Sequence, residues 1–176
     1  YDKFHSQGLS GKEIVNKIIE YSALPGASRH RWGTDLDVSD LSVIQPSDPL
    51  NQKHFAKGGL YGNIHEWMSE NANKYGFYEV YTNDIERKGF KYEPWHVSYA
   101  DISVKMLHEF QQLDLLQLLP DKQIKGSRHF DESFLKKYVS EYVNGINPNA
   151  RDLRIALAIS RCFCTFKRVL RRGLIF

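Results

Sequence analysis

The sequence predicts an α+β domain built on a small, largely antiparallel sheet with flanking helices. Three observations predict it: a capped amphipathic helix near the start, short strand-like segments interspersed with helical ones, and a composition able to fill a core. Of the 176 residues, 41% are hydrophobic and 13% aromatic, which suits one domain better than two. No apolar run reaches the roughly 18 residues that would suggest a membrane span, so the chain reads as soluble.

Taken in order, SGKEIVNKIIEYS at 10–22 offers Ser10 as N-cap, Glu13 as its capping-box partner and Ile14, Ile18 and Ile19 at helical spacing. Pro25 and Gly26 break that pattern. TDLDV alternates with period two, a short strand with Asp35 and Asp37 on one face. Residues 39–59, rich in Ser, Asp, Pro, Asn and Gly, read as one long surface loop. LYGNIHEWMSENANKYG reads as a helix closed by Gly76 at C′. FYEVYT and WHVSY read as strands, followed by helices at about 101–119 and 131–144. Tyr61, Trp67 and Phe77 are the aromatic residues expected in the core.

The net charge of +3 is unevenly placed. Residues 151–176 hold seven Lys/Arg and one acid, so the first 150 residues carry a net −3. The body therefore lacks the basic stripe of a nucleic-acid binder, and no nucleic-acid partner is expected. As a helix, the tail would set Ile155, Ile159, Phe163, Phe166 and Leu170 opposite Arg154, Arg161, Arg168 and Arg172. It reads as a packing helix with a solvated basic face or, alternatively, as a peripheral contact to membrane or wall polymer. The expected division is a domain over 1–150 and a basic tail over 151–176. Cys162 and Cys164, one residue apart, form no disulfide framework. Tyr1 opens the sequence without a basic and apolar leader, so localisation has to be inferred otherwise.

Chemistry concentrates in two short stretches, SRHRWGTDLD at 28–37 and EPWH at 93–96. A catalytic zinc site takes three protein ligands, an open position for water and a nearby carboxylate to accept that water's proton. His30, Asp37 and His96 supply the ligands and Glu93 the general base. Seven positions of extended chain would separate His30 from Asp37 by about 23 Å. Gly33 is the residue that lets the chain turn between them. HEWMS at 65–69 and HEFQQ at 108–112 begin like a zincin helix, but Ser69 and Gln112 stand where the second histidine would be.

Ser28, His30, Gly33 and Asp37, followed some sixty residues later by Glu93–His96, resemble the motifs of the VanY and VanX type D-alanyl-D-alanine carboxypeptidases and dipeptidases. That group also includes lysostaphin-like enzymes and the hedgehog signalling domain. The resemblance covers roughly residues 20–120. It implies a hedgehog/D-Ala-D-Ala-peptidase-like fold, two His and one Asp on Zn2+, Glu93 as base, a peptidoglycan stem peptide as substrate and a cell-envelope or secreted location. Ser28, Asp35 and Trp95 are the expected substrate-binding residues. Ser28 could instead bond a nearby backbone group, and Trp95 could be core packing. Asp35 stands where the family usually has a small residue, and its role is open between hydrogen-bond partner of a ligand, substrate contact and competing ligand. The family's arginine clamp for the substrate carboxylate has no match in residues 1–27, which contain no arginine. Either it lies before Tyr1 or another cation acts, with Arg29, Arg31 and Arg87 as candidates. The implied activity is D-alanyl-D-alanine carboxypeptidase. An L,D-carboxypeptidase, a peptidoglycan endopeptidase and a zinc-stabilised non-catalytic binding module are the alternatives.

Overall fold

A computed structural model describes residues 1–119 and 123–150 of the chain. The amphipathic tail and both cysteines fall outside the described residues, so the reading of 151–176 as a separate segment has no structural counterpart.

The α+β expectation holds. A short N-terminal turn, α1 (Asp2–His5), precedes α2 (Gly11–Ile19), whose Ser10 backbone N–H donates to the Glu13 carboxylate at 2.8 Å in the expected capping box. α2 buries Ile14, Val15 and Ile19, a stripe in which Val15 takes the place the spacing gave to Ile18, which is only partly buried. At roughly 2 kcal/mol for each aliphatic side chain removed from water, that stripe fixes the helix to the domain. A 3-10 turn at Arg29–Trp32 leads into β1 (Asp35–Asp37). Then come α3 (Gln52–Phe55), α4 (Gly62–Asn71), β2 (Phe77–Glu79), β3 (His96–Tyr99), α5 (Ala100–Gln111), α6 (Leu115–Leu118) and α7 (Glu132–Tyr138).

The sheet has the order β1-β3-β2, with both neighbours antiparallel to β3. β3 is central because His96, Val97 and Ser98 are all buried, so both of its faces are covered. The register pairs Asp37 with His96 and Asp35 with Ser98. Ladder bonds run from Tyr99 N to Thr34 O and from Val38 N to Trp95 O. Asp37 and His96 therefore form a pair without mutual backbone bonds, the kind in which facing side chains stand closest. The main core lies among α2, β2, α5 and α7, with Val80, Tyr81, Leu107, Leu135, Tyr138 and Ile146 at its centre. A smaller cluster of Phe55, Tyr61 and Trp95 sits under the 39–59 segment. No helix among the described residues is long and apolar enough to cross a membrane.

Four sequence expectations change. The 39–59 segment is not wholly loop: Asn51 caps α3 by accepting from Lys53 N, and α3 buries His54 and Phe55. Four residues are too few to show a helical period. The helix expected over 101–119 breaks at Gln112–Asp114, because the Asp114 side chain caps a separate turn, α6. The one expected over 131–144 continues past Tyr138 as a π turn over Val139–Val143. Finally, Trp67 is 52% exposed and stacks on Tyr75 at 6.0 Å, outside the core.

Candidate metal centre

Gly33 makes the site possible. It closes the 3-10 turn with φ 70° and ψ 14°, a left-handed conformation that costs a non-glycine residue about 1–2 kcal/mol. This reversal carries the chain from His30 back along β1, so His30 ends beside the strand residue seven positions later. Without it the expected 23 Å gap would stand.

His30, Asp37 and His96 each offer one donor atom, and the three atoms lie within 4.8 Å of one another. His30 Nε2 is 3.5 Å from Asp37 Oδ1, and His96 Nδ1 is 4.0 Å from the same oxygen. The two imidazole rings stand 4.5 Å apart between centroids. The side chains of His30 and Asp37 are 43% and 33% exposed and that of His96 only 4%, so the cluster is anchored on its inner side and open outward. An open position is what separates a catalytic metal site from a closed structural one. Two imidazoles and a carboxylate are donors that zinc and several other divalent metals accept, so the residues present fit a metal ion.

Glu93 adjoins this triad. Its backbone N–H donates to Tyr81 O, its carbonyl accepts from His96 N, and Oε2 lies 3.0 Å from His96 Nδ1. Pro94, which follows it, disfavours helical backbone at Glu93. Glu93 is buried, and the edge of the buried Tyr81 ring meets the His96 ring at 4.9 Å.

Asp35 is the residue whose role the structure narrows most. Left open between hydrogen-bond partner of a ligand, substrate contact and competing ligand, and set among the substrate-binding residues, it has a side chain with no exposed surface. Oδ1 accepts from Arg29 Nε at 2.8 Å and faces His96 Nε2 at 2.9 Å, and Oδ2 accepts the hydroxyls of Thr34 and Ser98 at 2.8 Å each. Burial alone would push this carboxyl upward. The His96 hydrogen bond, the Arg29 guanidinium and Ser98 outweigh burial and hold it far below the usual carboxylate range. His96 shows the mirror case: burial pulls its pKa down, and the bonds to Asp35 and Glu93 more than offset that, leaving it raised.

Trp95, also expected at the substrate, is 6% exposed and packs against Phe55 at 5.5 Å. Its position beside His96 in the sequence puts it on the opposite side of the strand, in the small core. Ser28 lies partly buried before the 3-10 turn, where its carbonyl accepts from Arg31 N and its side chain makes no cap bond. Of the three arginines considered for a carboxylate clamp, Arg29 is buried and bound to Asp35, Tyr78 and Ser98. Arg87 is spent on the carbonyls of Thr82, Lys88 and Gly145. Arg31 alone is exposed. Sequence reasoning missed Thr34, Tyr78 and Ser98 as partners of the buried pair. Ser98, two positions after His96 on a strand and hence on its face, was the one detectable signal.

An α+β domain that gathers two imidazoles and a carboxylate beside one strand, with a second carboxylate adjoining them, has a donor set that a metal ion would fit. Known proteins narrow the class. The family model for VanY, D-alanyl-D-alanine carboxypeptidase, matches residues 2–102, and the chain belongs to that family. An uncharacterised protein of Haemophilus influenzae is 29% identical over 122 residues, covering 68% of this chain and 92% of that one. A D-alanyl-D-alanine carboxypeptidase of Enterococcus faecium is 36% identical over 103 residues, 58% of this chain. YodJ of Bacillus subtilis, whose name assigns it provisionally to the carboxypeptidases, is 33% identical over 97 residues, 52% of this chain. The chain spans 28% and 30% of the length of these last two. No solved structure matches it.

Proposed function

We propose that the chain is a zinc-dependent carboxypeptidase that releases the terminal D-alanine from peptidoglycan stem peptides ending in D-alanyl-D-alanine. One observation carries the reading. Glu93 stands 3.0 Å from His96 Nδ1, the nitrogen that faces Asp37, so a carboxylate adjoins the three donors without being one of them. A purely structural zinc site has no use for such a group.

When bound, zinc supplies a Lewis acid that lowers the pKa of water and polarises the scissile carbonyl. The chain's own residues do the rest. Glu93 takes the proton of the attacking water and returns it to the leaving amine, the double duty of a general acid–base residue. His30 and Asp37, being partly exposed, leave the outer side of the cluster open to a peptide. Of the three arginines considered, Arg31 is the one exposed to meet the substrate's terminal carboxylate, Arg29 and Arg87 being committed inside the protein, unless that arginine lies before Tyr1. Peptidoglycan lies outside the cytoplasmic membrane, so the activity belongs to the cell envelope or beyond, with the stem peptide as partner and no nucleic acid involved.

The test is release of free D-alanine from a muramyl pentapeptide by the purified protein, before and after chelation and after zinc is returned. The expected result is release that chelation abolishes and zinc restores. No release from a chain that holds zinc would overturn the D,D-carboxypeptidase reading and favour another wall bond or a non-catalytic module.

A further inference from the structure

We infer that Asp35, locked in place by Arg29, is a positioning residue that sets which nitrogen of His96 is presented as a donor. The inference rests on the reading that His30, Asp37 and His96 hold a metal ion.

The two nitrogens of the His96 ring face different partners. His96 Nδ1 faces the donor cluster, 3.0 Å from Glu93 Oε2 and 4.0 Å from Asp37 Oδ1, and Nε2 faces Asp35 Oδ1 at 2.9 Å. A neutral imidazole carries one N–H, and the nitrogen that ligates must be the other one. For Nδ1 to offer a lone pair, the proton has to sit on Nε2, and a buried N–H there requires an acceptor. Asp35 supplies it.

Asp35 can do nothing else. Both of its oxygens are engaged, one by Arg29 Nε and the other by the Thr34 and Ser98 hydroxyls, so the carboxylate cannot swing towards the donor cluster and compete as a ligand. Arg29 extends the lock. Its Nη2 donates to Tyr78 Oη at 2.9 Å and to Ser98 Oγ at 3.1 Å, and its guanidinium lies 4.4 Å from the centre of the Trp32 ring. Arginine suits this role because its planar fork satisfies several acceptors in fixed directions. The chain thus carries a buried relay, Arg29 to Asp35 to His96, ending at the most deeply buried of the three donors.

A built-in control accompanies it. His30 Nδ1 lies 3.3 Å from the main-chain oxygen of Asp35, which leaves Nε2 facing Asp37. One residue therefore orients both histidines, through its side chain for His96 and through its backbone for His30. Substituting the side chain should disturb only the first.

The test measures zinc affinity by competition with a chromophoric chelator, and the ring tautomers by nitrogen-15 NMR of the zinc-loaded protein. The proteins compared are wild type, Asp35→Asn and the double variant Arg29→Met with Asp35→Ala. The double variant removes both buried charges together, so no uncompensated ion is left to unfold the domain. Wild type is expected to bind one zinc per chain with the His96 proton on Nε2. The double variant should bind zinc about 10–100-fold more weakly, the usual cost of losing a partner behind a ligand histidine, with mixed His96 tautomers and an unchanged His30. Asp35→Asn should shift both readouts in the same direction by less, and it keeps the question answerable should the double variant not fold. Zinc affinity within twofold of wild type in either folded variant, with His96 still protonated on Nε2, overturns the inference while the metal reading stands. Failure of wild type itself to bind zinc removes the metal reading and this inference with it.

Discussion

The two faces of the sheet each carry histidine and carboxylate, and only one gathers metal donors. On the face shared by His96 and Ser98, two imidazoles and Asp37 converge, and the remote nitrogen of each histidine meets an oxygen of Asp35. On the other face Glu79, paired in register with Val97, lies 3.7 Å from His65 Nε2, and that same nitrogen is 3.2 Å from Tyr92 Oη. Among the described residues this second group has no third donor within reach. His65 and Glu79 line a pocket of about 220 Å³ with Thr82 and Asn147. The contrast teaches that residue types do not make a metal centre. What does is convergence of three donor atoms, with each histidine's second nitrogen held so that the first is free.

The largest effect that would test this contrast is on the site face. Glu93→Gln removes the proposed proton carrier and leaves the three donors. It should lower kcat by about 10²–10⁴-fold, with zinc content unchanged by metal analysis. Full activity in that variant would remove Glu93 from the mechanism.

The opposite face should respond through stability and not through turnover. Burial pushes the Glu79 carboxyl up to about 7, with the charge of Arg87 opposing only in part. Its folded pKa exceeds the ordinary glutamate value, so the folded state holds a proton that the unfolded state releases. Stability should therefore fall as pH rises from about 5 to 7 and level off above. On the order of 1–3 kcal/mol is involved, and Glu79→Gln should flatten that slope in denaturant titrations at several pH values without altering kcat. An unchanged slope would show that Glu79 ionises normally, and a fall in kcat would join the two faces functionally.

The smallest effect concerns the turn that brings the site together. A β-carbon at Gly33 would meet no atom within 4 Å, so Gly33→Ala costs only the strain of its positive φ, about 1 kcal/mol. It should lower the denaturation midpoint slightly. A loss of several kcal/mol would mean that the site tightens the turn more than its geometry indicates.

The convergence of His30, Asp37 and His96 was legible because histidine and aspartate astride a glycine, followed by a second histidine beside a glutamate, have a chemistry that any fold must bring together to use. Gly33 and Gly76 were legible for a related reason: both adopt the left-handed conformation that glycine tolerates best. Arg29 was not. An arginine beside a histidine reads as exposed, and its burial depends on a turn folding residue 29 back onto residue 35, which spacing alone does not reveal. Trp95 was left open between cleft and core because strand alternation decides which neighbour of His96 faces the core, and the first residue of the strand was uncertain by one. Asp35 was left open for want of its partner.

The central claim is that His30, Asp37 and His96 form the metal centre. Its most direct test is zinc content per chain, by elemental analysis, of wild type and of His96→Ala purified alike. One zinc is expected in wild type and none in the variant, with the variant still folded by circular dichroism. A folded His96→Ala chain that retains its zinc would contradict it.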